Sequence, residues 1–328
     1  MKSSIYRMKR VSLRMSLTAV LPIAGLLSQS VWAAAAKFAW PVPSRATLTE
    51  TALKKGKTAK MSYDIVLTRA KDGKNLELRF ENYQFLNLDG LDLTDAETRR
   101  QLGPQLAPVT ALASALPTLV INSAGTLQDI VGIEQSVEKA LQVLPSDDPK
   151  MREALSAMMR SPEMIAQIKE KSGDFWRVWV QTWIGCDTTA GKSETLEQKI
   201  AMLGGGAIMV PLIIQSEGSA ANAPGHVRFS AQSVLEGEEA RKALGSMIKQ
   251  FAAQIPPREG VKPFSEDMLK SVKRTSKFFV VTNPRTLQPQ QAEYEVVTDL
   301  TVEDQTKSSV EKRSYSFNWA APASKAQQ

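Results

Sequence analysis

Asp174-Phe175-Trp176-Arg177-Val178-Trp179-Val180-Gln181-Thr182-Trp183-Ile184 carries three of the chain's six tryptophans. Wound as a helix, Phe175, Trp176, Trp179, Val180 and Trp183 fall at i, i+1, i+4, i+5 and i+8 and make one apolar stripe. Arg177, Gln181 and Thr182 then face away, and only Val178 is out of place. A strand would split the tryptophans between two faces, so the spacing predicts a helix over 174–184. Its rings are expected to anchor a core, because buried aromatic side chains dominate core energetics. The sharper alternative makes Phe175, Trp176, Trp179 and Trp183 the wall of a cavity for an apolar or aromatic ligand.

Three amphipathic helices are expected just before this stretch. Ile133, Val137, Leu141 and Leu144 form the first stripe, and Met151, Leu155, Met158 and Met159 the second, opened by Asp148 as N-cap and Pro149. Met164, Ile165 and Ile168 form the third, with Ser161-Pro162 as the same start signal and Gly173 as its stop. The methionines suit irregular core gaps as well as adaptable binding surfaces.

Strand character lies on both flanks. Met61, Tyr63, Ile65 and Leu67 alternate with polar residues. Lys71-Asp72-Gly73-Lys74 then reads as a type I′ hairpin turn. The return strand carries Leu76, Leu78 and Phe80 and shifts parity to Tyr83 and Phe85, which predicts a bulge near Glu81 and Asn82. Thr94-Asp95-Ala96-Glu97 has capping-box spacing for a short helix ending at Gly103-Pro104, and Leu106, Val109, Leu112 and Leu116 continue at helical spacing. Residues 118–122 and 126–131 flank Ser123-Ala124-Gly125 as a second hairpin.

Beyond the tryptophans, 207–215 is apolar, and Pro211 within it implies an edge strand or a break. Val227, Phe229 and Ala231 alternate with polar residues, and Ala240, Leu244, Ile248, Phe251 and Ile255 mark a helix closing at Pro256-Pro257. Residues 278–282, the face Tyr294-Val296-Thr298-Leu300-Val302, and the face Tyr315-Phe317-Trp319 read as further strands.

Residues 1–33 alter the charge balance. Lys2, Arg7, Lys9, Arg10 and Arg14 form a basic leader without acids, followed by an eleven-residue apolar run, 17–27, too short to span a bilayer as a helix. Val31-Trp32-Ala33 supplies small residues for signal-peptide cleavage at Ala33, with Ala35 as a second position. The chain is therefore expected to be exported to the periplasm or secreted. Without the leader the net charge falls from +7 to +2, which removes the basic-patch argument for nucleic acid. No later run is long enough for a stable membrane span in the mature chain. Cys186 is the sole cysteine and is expected to be buried.

These elements predict an α+β fold. A mostly antiparallel, curved β-sheet comes from N- and C-terminal strands, with a central helical segment packed on one face. Residues 1–35 are read as the signal peptide and 36–320 as one domain, with strands in 45–132, helices in 133–185, and strands plus one helix in 186–319. Residues 321–328 are read as a disordered tail. In the order of its elements the chain is similar to the curved-sheet periplasmic carriers that move lipoproteins between membranes. That resemblance implies an apolar pocket between helices and sheet.

Motifs for catalysis fall short. His226 is the single histidine, on the polar face beside Arg228, which excludes an H-E-x-x-H protease or a multi-histidine zinc site. The loop 185–193 has Cys186 where a Walker A motif needs glycine. Asn87-Leu88-Asp89-Gly90-Leu91-Asp92 lacks the outer ligands of a calcium loop, with Phe85 and Ala96 in their places, and reads as a solvated turn. Gly204-Gly205-Gly206 reads as a flexible turn, and Glu238-Glu239 as helix-dipole complements. No cofactor is expected. The leading expectation is a non-enzymatic binding or carrier protein for a lipid or other apolar small molecule. The alternative is an envelope assembly protein that takes a protein partner through a sheet edge, suggested by Pro211 and the long strand 293–302. A carboxylate-based hydrolase comes third.

Overall fold

The computed structural model describes residues 35–113, 116–143, 149–201, 207–254 and 264–321. The signal segment with Ala33, Leu144, the Asp148 cap, the glycine triplet 204–206, Pro256-Pro257 and the tail 322–328 lie outside the described residues.

The strands are β1 (Ser44–Lys54), β2 (Lys57–Arg69), β3 (Leu76–Leu88), the short β4 (Leu91–Asp92), β5 (Thr118–Ile121) and β6 (Leu127–Val131). After the helices come β7 (Ser193–Ala201), β8 (Ala207–Ser219), β9 (Val227–Glu236), β10 (Leu269–Thr282), β11 (Pro289–Val302) and β12 (Gln305–Trp319). The helices are α1 (Ala96–Ala113), α2 (Ile133–Val143), α3 (Pro149–Met159), α4 (Pro162–Ser172), α5 (Asp174–Trp179) and α6 (Glu238–Gln254).

All strands join one open sheet in the order β6-β5-β3-β2-β1-β12-β11-β10-β9-β8-β7, with β4 paired to β3. Every pairing among the described residues is antiparallel. The centre is a junction of the two ends of the chain: β1 pairs with β12 from Ala46↔Trp319 to Lys54↔Glu311. The sequence reading did not single out β1. Its face Ala46, Leu48, Glu50 and Ala52 contains a carboxylate and two small residues, which dilutes the apolar alternation.

The core follows strand parity. Leu48 of β1, Tyr63 and Ile65 of β2, Leu78 of β3, Phe229 of β9, Val280 of β10, Ala292 of β11 and Phe317 of β12 gather with Trp176, Trp179 and Trp183 in one buried cluster. Each strand supplies alternate residues, as the pleat requires. A smaller cluster joins Ile208 and Val210 of β8 with Leu235 of β9 and Ala240 of α6.

Local signals hold in places and shift in others. The bulge in β3 is present: the β2–β3 register slips between Ser62↔Gln84 and Asp64↔Glu81, with Asn82 at φ 55°. Ser161 caps α4, its hydroxyl accepting from the Met164 N–H at 3.2 Å ahead of Pro162. The β2–β3 turn differs from expectation. It runs over 70–75, with Gly73 at φ 67°, Asp72 not at positive φ, and the Asp72 carboxylate accepting from the Lys74 and Asn75 N–H groups. Two-residue turns with positive φ at both positions are instead Lys55-Gly56 (51° and 75°), between β1 and β2, and Asp89-Gly90 (50° and 87°), between β3 and β4.

α1 also departs from its prediction. It runs through Gly103-Pro104 to Ala113 as one helix of 18 residues, because a proline inside a helix forfeits one backbone bond while its neighbours keep theirs. Its cap is Asp95, whose carboxylate accepts from the Thr98 N–H at 2.8 Å, in place of Thr94. Both markers of an exposed edge move inward as well. Pro211 lies in β8, flanked by β7 and β9, and residues 293–302 lie in β11, flanked by β10 and β12. Pro211 marks a break in pairing: the β8–β9 ladder begins at the next residue, Leu212↔Ser233, since proline has no N–H to give it.

Candidate functional site

The tryptophan stretch folds as two short turns. α5 ends at Trp179, Val180 takes φ −139° and ψ −58°, and Gln181–Trp183 forms a 3-10 turn. The break frees the Val178 carbonyl from a helical bond, and the Trp183 indole N–H donates to it at 2.7 Å. It also swings Trp183 away from its neighbours. Trp179 meets Tyr315 and Phe317 of β12 edge-on, each at 5.1 Å, while Trp183 stacks on Phe229 of β9 at 5.5 Å. Trp176 sits against Phe38 and Trp40 and donates from its indole nitrogen to the Gly125 carbonyl at 2.9 Å. Phe175 is only partly buried, against Phe80 of β3 at 5.1 Å.

All three tryptophans of this stretch are fully buried, and Val178, which the helical stripe left out, is buried too. Trp179 differs from the other two in one respect: its indole nitrogen is buried without a hydrogen-bond partner. Two surface hollows, of about 400 and about 510 Å³, border neither Phe175 nor the tryptophans. One is lined by residues of β8 to β11 such as Gln215, Arg228, Lys277 and Glu293, the other by residues near the β1–β2 and β3–β4 turns.

A second constellation lies beside Trp179, and the sequence reading missed it. Glu50 of β1 is 6% exposed, opposite Met61 of β2 and Tyr315 of β12. The Tyr63 hydroxyl donates to its carboxylate at 3.0 Å, and the Arg313 guanidinium approaches at 3.5 Å. Arg313 also bonds Glu311 at 3.1 Å, so two acids share one arginine. Tyr83 stacks on Tyr63 at 5.4 Å, and its hydroxyl bonds the Met61 sulfur. Burial pushes the Glu50 carboxyl above its ordinary value, with Arg313 and the Tyr63 hydroxyl pulling the other way. Burial, with the Glu50 charge second, pushes the Tyr315 hydroxyl up as well. The arrangement can retain a proton and hold charge inside the sheet. Its one sequence signal was parity, since Glu50 shares a face with Ala46 and Leu48.

The sheet's two ends are built differently. At β6 the Leu127 N–H donates to the Gln181 side chain at 3.2 Å, and Lys169 of α4 pairs with Asp129. Helices thus cover that end. At the other end β7 pairs, among the described residues, with β8 alone, from Ser193↔Gln215 to Ala201↔Ala207. Thr195, Glu197 and Lys199 are exposed on one face, while Glu194, Leu196, Gln198 and Ile200 are partly buried on the other. The Gln198 side-chain oxygen is buried there without a hydrogen-bond partner. On the neighbouring strand Met209 and Ile213 are 53% and 51% exposed, with exposed Pro211 between them. β7 escaped the sequence reading because Leu196 and Ile200, its apolar pair, also fit helical i,i+4 spacing.

The remaining residues singled out earlier have structural partners. His226 lies in the turn before β9, partly buried, its Nδ1 3.2 Å from the Pro224 carbonyl. Cys186 is buried, its thiol donating to a Glu194 carboxylate oxygen at 3.2 Å. Glu238 binds Arg241 through both oxygens, which holds its carboxyl down at about 2. Among the described residues no three His, Cys, Asp or Glu side chains gather as a metal site, and no helix is long and apolar enough to cross a membrane. Comparison of the chain with protein-family models finds no match, and comparison with curated proteins finds none either.

Proposed function

We propose that this chain is a non-enzymatic envelope protein that takes a protein partner by adding a strand to β7. The observation that carries the reading is the one-sided pairing of β7, among the described residues, at the end of an open sheet. An unpaired edge presents a row of N–H and C=O groups that an extended segment can satisfy. Met209, Pro211 and Ile213 add exposed apolar surface one strand in. The basic leader and its apolar run support export.

The sheet in this reading curves round the tryptophan stretch, with the central helical segment on its concave face. Six strand spacings separate β3 from β9, about 29 Å along a flat sheet. Yet Phe175 touches Phe80 of β3 and Trp183 touches Phe229 of β9 from eight residues apart, a span of about 12 Å if fully helical. Curvature reconciles the two lengths. It also lets a small aromatic stretch fill the interior, which favours partner binding at the rim over a cavity beside the tryptophans.

A photo-crosslinking residue at Thr195 or Glu197, compared with one at exposed Thr51 of the interior strand β1, tests this in cells. A product of one defined mass from β7 and none from β1 is expected. Equal yields from the two strands would overturn it.

The carrier reading has one observation of its own, the unpartnered Trp179 indole beside Tyr315 and the Glu50–Arg313 pair. An amphiphile placing an acceptor there would satisfy that donor. Native mass spectrometry of the mature protein tests it: a retained apolar adduct supports this reading, and a bare chain removes it.

A further inference from the structure

We propose that the strand added to β7 is β7 of a second copy of this chain, antiparallel, about a two-fold axis through Gln198. The inference rests on the edge reading above and names its partner. In a two-fold strand pair the partners obey one rule: residue i faces residue j and j faces i. Because side chains alternate between faces, partners directly opposite must share a face, so the axis passes through a residue position and each choice of residue sets a register.

Charge decides among these registers. An axis at Glu197 sets that carboxylate against its own copy and leaves Leu196 opposite Gln198. An axis at Lys199 opposes two ammonium groups. An axis at Leu196 pairs the leucines but sets Glu197 against Thr195 and Glu194 against Gln198. Only the axis at Gln198, of these four, puts Glu197 opposite Lys199 twice on the exposed face and Leu196 opposite Ile200 twice on the other, with Thr195 facing Ala201. Opposite charges directly across a strand pair stabilise it and like charges oppose it.

The Gln198 side chain points to the same axis independently. Its oxygen is buried and unbonded within one chain. On the axis the two Gln198 side chains stand directly opposite, their Cβ atoms about 5 Å apart, within reach for each amide to donate to the other's oxygen. A buried acceptor without a donor is costly, and turning the side chain from its enclosed position toward the axis lets the second copy supply the donor. The paired segment, 195–201, is short, and an interface of one strand edge falls at the small end of specific interfaces. The dimer is therefore concentration-dependent.

Sedimentation of the mature full-length chain over a wide concentration range is the first readout. A monomer–dimer equilibrium is expected, weakened at least tenfold by Glu197→Lys and restored by Glu197→Lys combined with Lys199→Glu. Oxidation of Gln198→Cys should trap a covalent dimer, whereas Glu197→Cys and Lys199→Cys should not link to their own copies. Unchanged melting temperatures identify variants that still fold. A monomer at every concentration, without a Gln198→Cys crosslink, overturns the self-pairing. If the photo-crosslinker at Thr195 or Glu197 then captures a different protein, the edge reading survives alone. If β7 captures nothing, both fall.

Discussion

The three tryptophans of the central stretch are equally buried but unequally hydrogen-bonded, and replacing each by phenylalanine separates the two contributions. Trp176 donates to the Gly125 carbonyl and Trp183 to the Val178 carbonyl, while the Trp179 nitrogen has no partner. Each substitution removes about 40 Å³ of ring, and at about 24 cal/mol per Å³ of cavity that is about 1 kcal/mol. At positions 176 and 183 a buried carbonyl is also left without its donor, which adds roughly 1 to 3 kcal/mol. At position 179 the change removes an unpaired buried N–H, so nothing is added and part of the cavity loss is offset. Trp176→Phe and Trp183→Phe should then lose roughly 2 to 4 kcal/mol and Trp179→Phe about 1 kcal/mol or less. In a domain of this size that corresponds to roughly 4 to 16 °C against roughly 2 to 4 °C in Tm. Urea unfolding followed by far-UV circular dichroism, with m-values compared, measures the differences. A loss at Trp179→Phe equal to or greater than the other two, at unchanged m, would refute the reasoning. The Trp179 N–H would then have a partner in solution.

Two further outcomes follow from buried geometry. Burial raises the Glu50 carboxyl, so its contribution to stability is full below the ordinary carboxylate value of about 4.3 and is lost as pH rises through the raised folded value. Glu50→Gln should therefore gain on the parent chain as pH rises from acid to neutral, in denaturation followed across pH. The reverse trend would mean that Arg313 outweighs burial. Gly125→Ala should destabilise far more than Gly90→Ala, although both glycines sit at positive φ (86° and 87°). An added Cβ at Gly125 would lie 2.5 Å from the Phe38 Cβ, whereas nothing lies within 4 Å at Gly90, where backbone strain of about 1 kcal/mol remains. Similar melting temperatures for the two variants would contradict this.

What could be read from the sequence was local. Period-two alternation marked β2 and β9, because side chains of a strand half in the core repeat every second residue and lie within one short window. The parity slip at Asn82 and the Ser161-Pro162 start of α4 were legible for the same reason, since bulges and caps are made by adjacent residues. The burial of the tryptophans followed from their size and apolarity. Where two local rules competed, the sequence misled. The stripe at 174–184 suggested one helix, but Trp183 finds its donor partner and its ring partner only after a break at Val180.

The candidate site lay beyond any local window. Glu50 and Arg313 are 263 positions apart, and they meet because β1 pairs with β12. Likewise β7 is an edge only because the sheet ends there, while Pro211, the residue that looked like an edge marker, lies one strand further in. Composition and periodicity settled the α+β class and the residues that must leave water, since those depend on each side chain's own chemistry. Which strands became neighbours, which carboxylate was enclosed and which backbone edge stayed open were decided by the tertiary structure. These are properties of pairs of residues distant in the chain, and no single segment carries them.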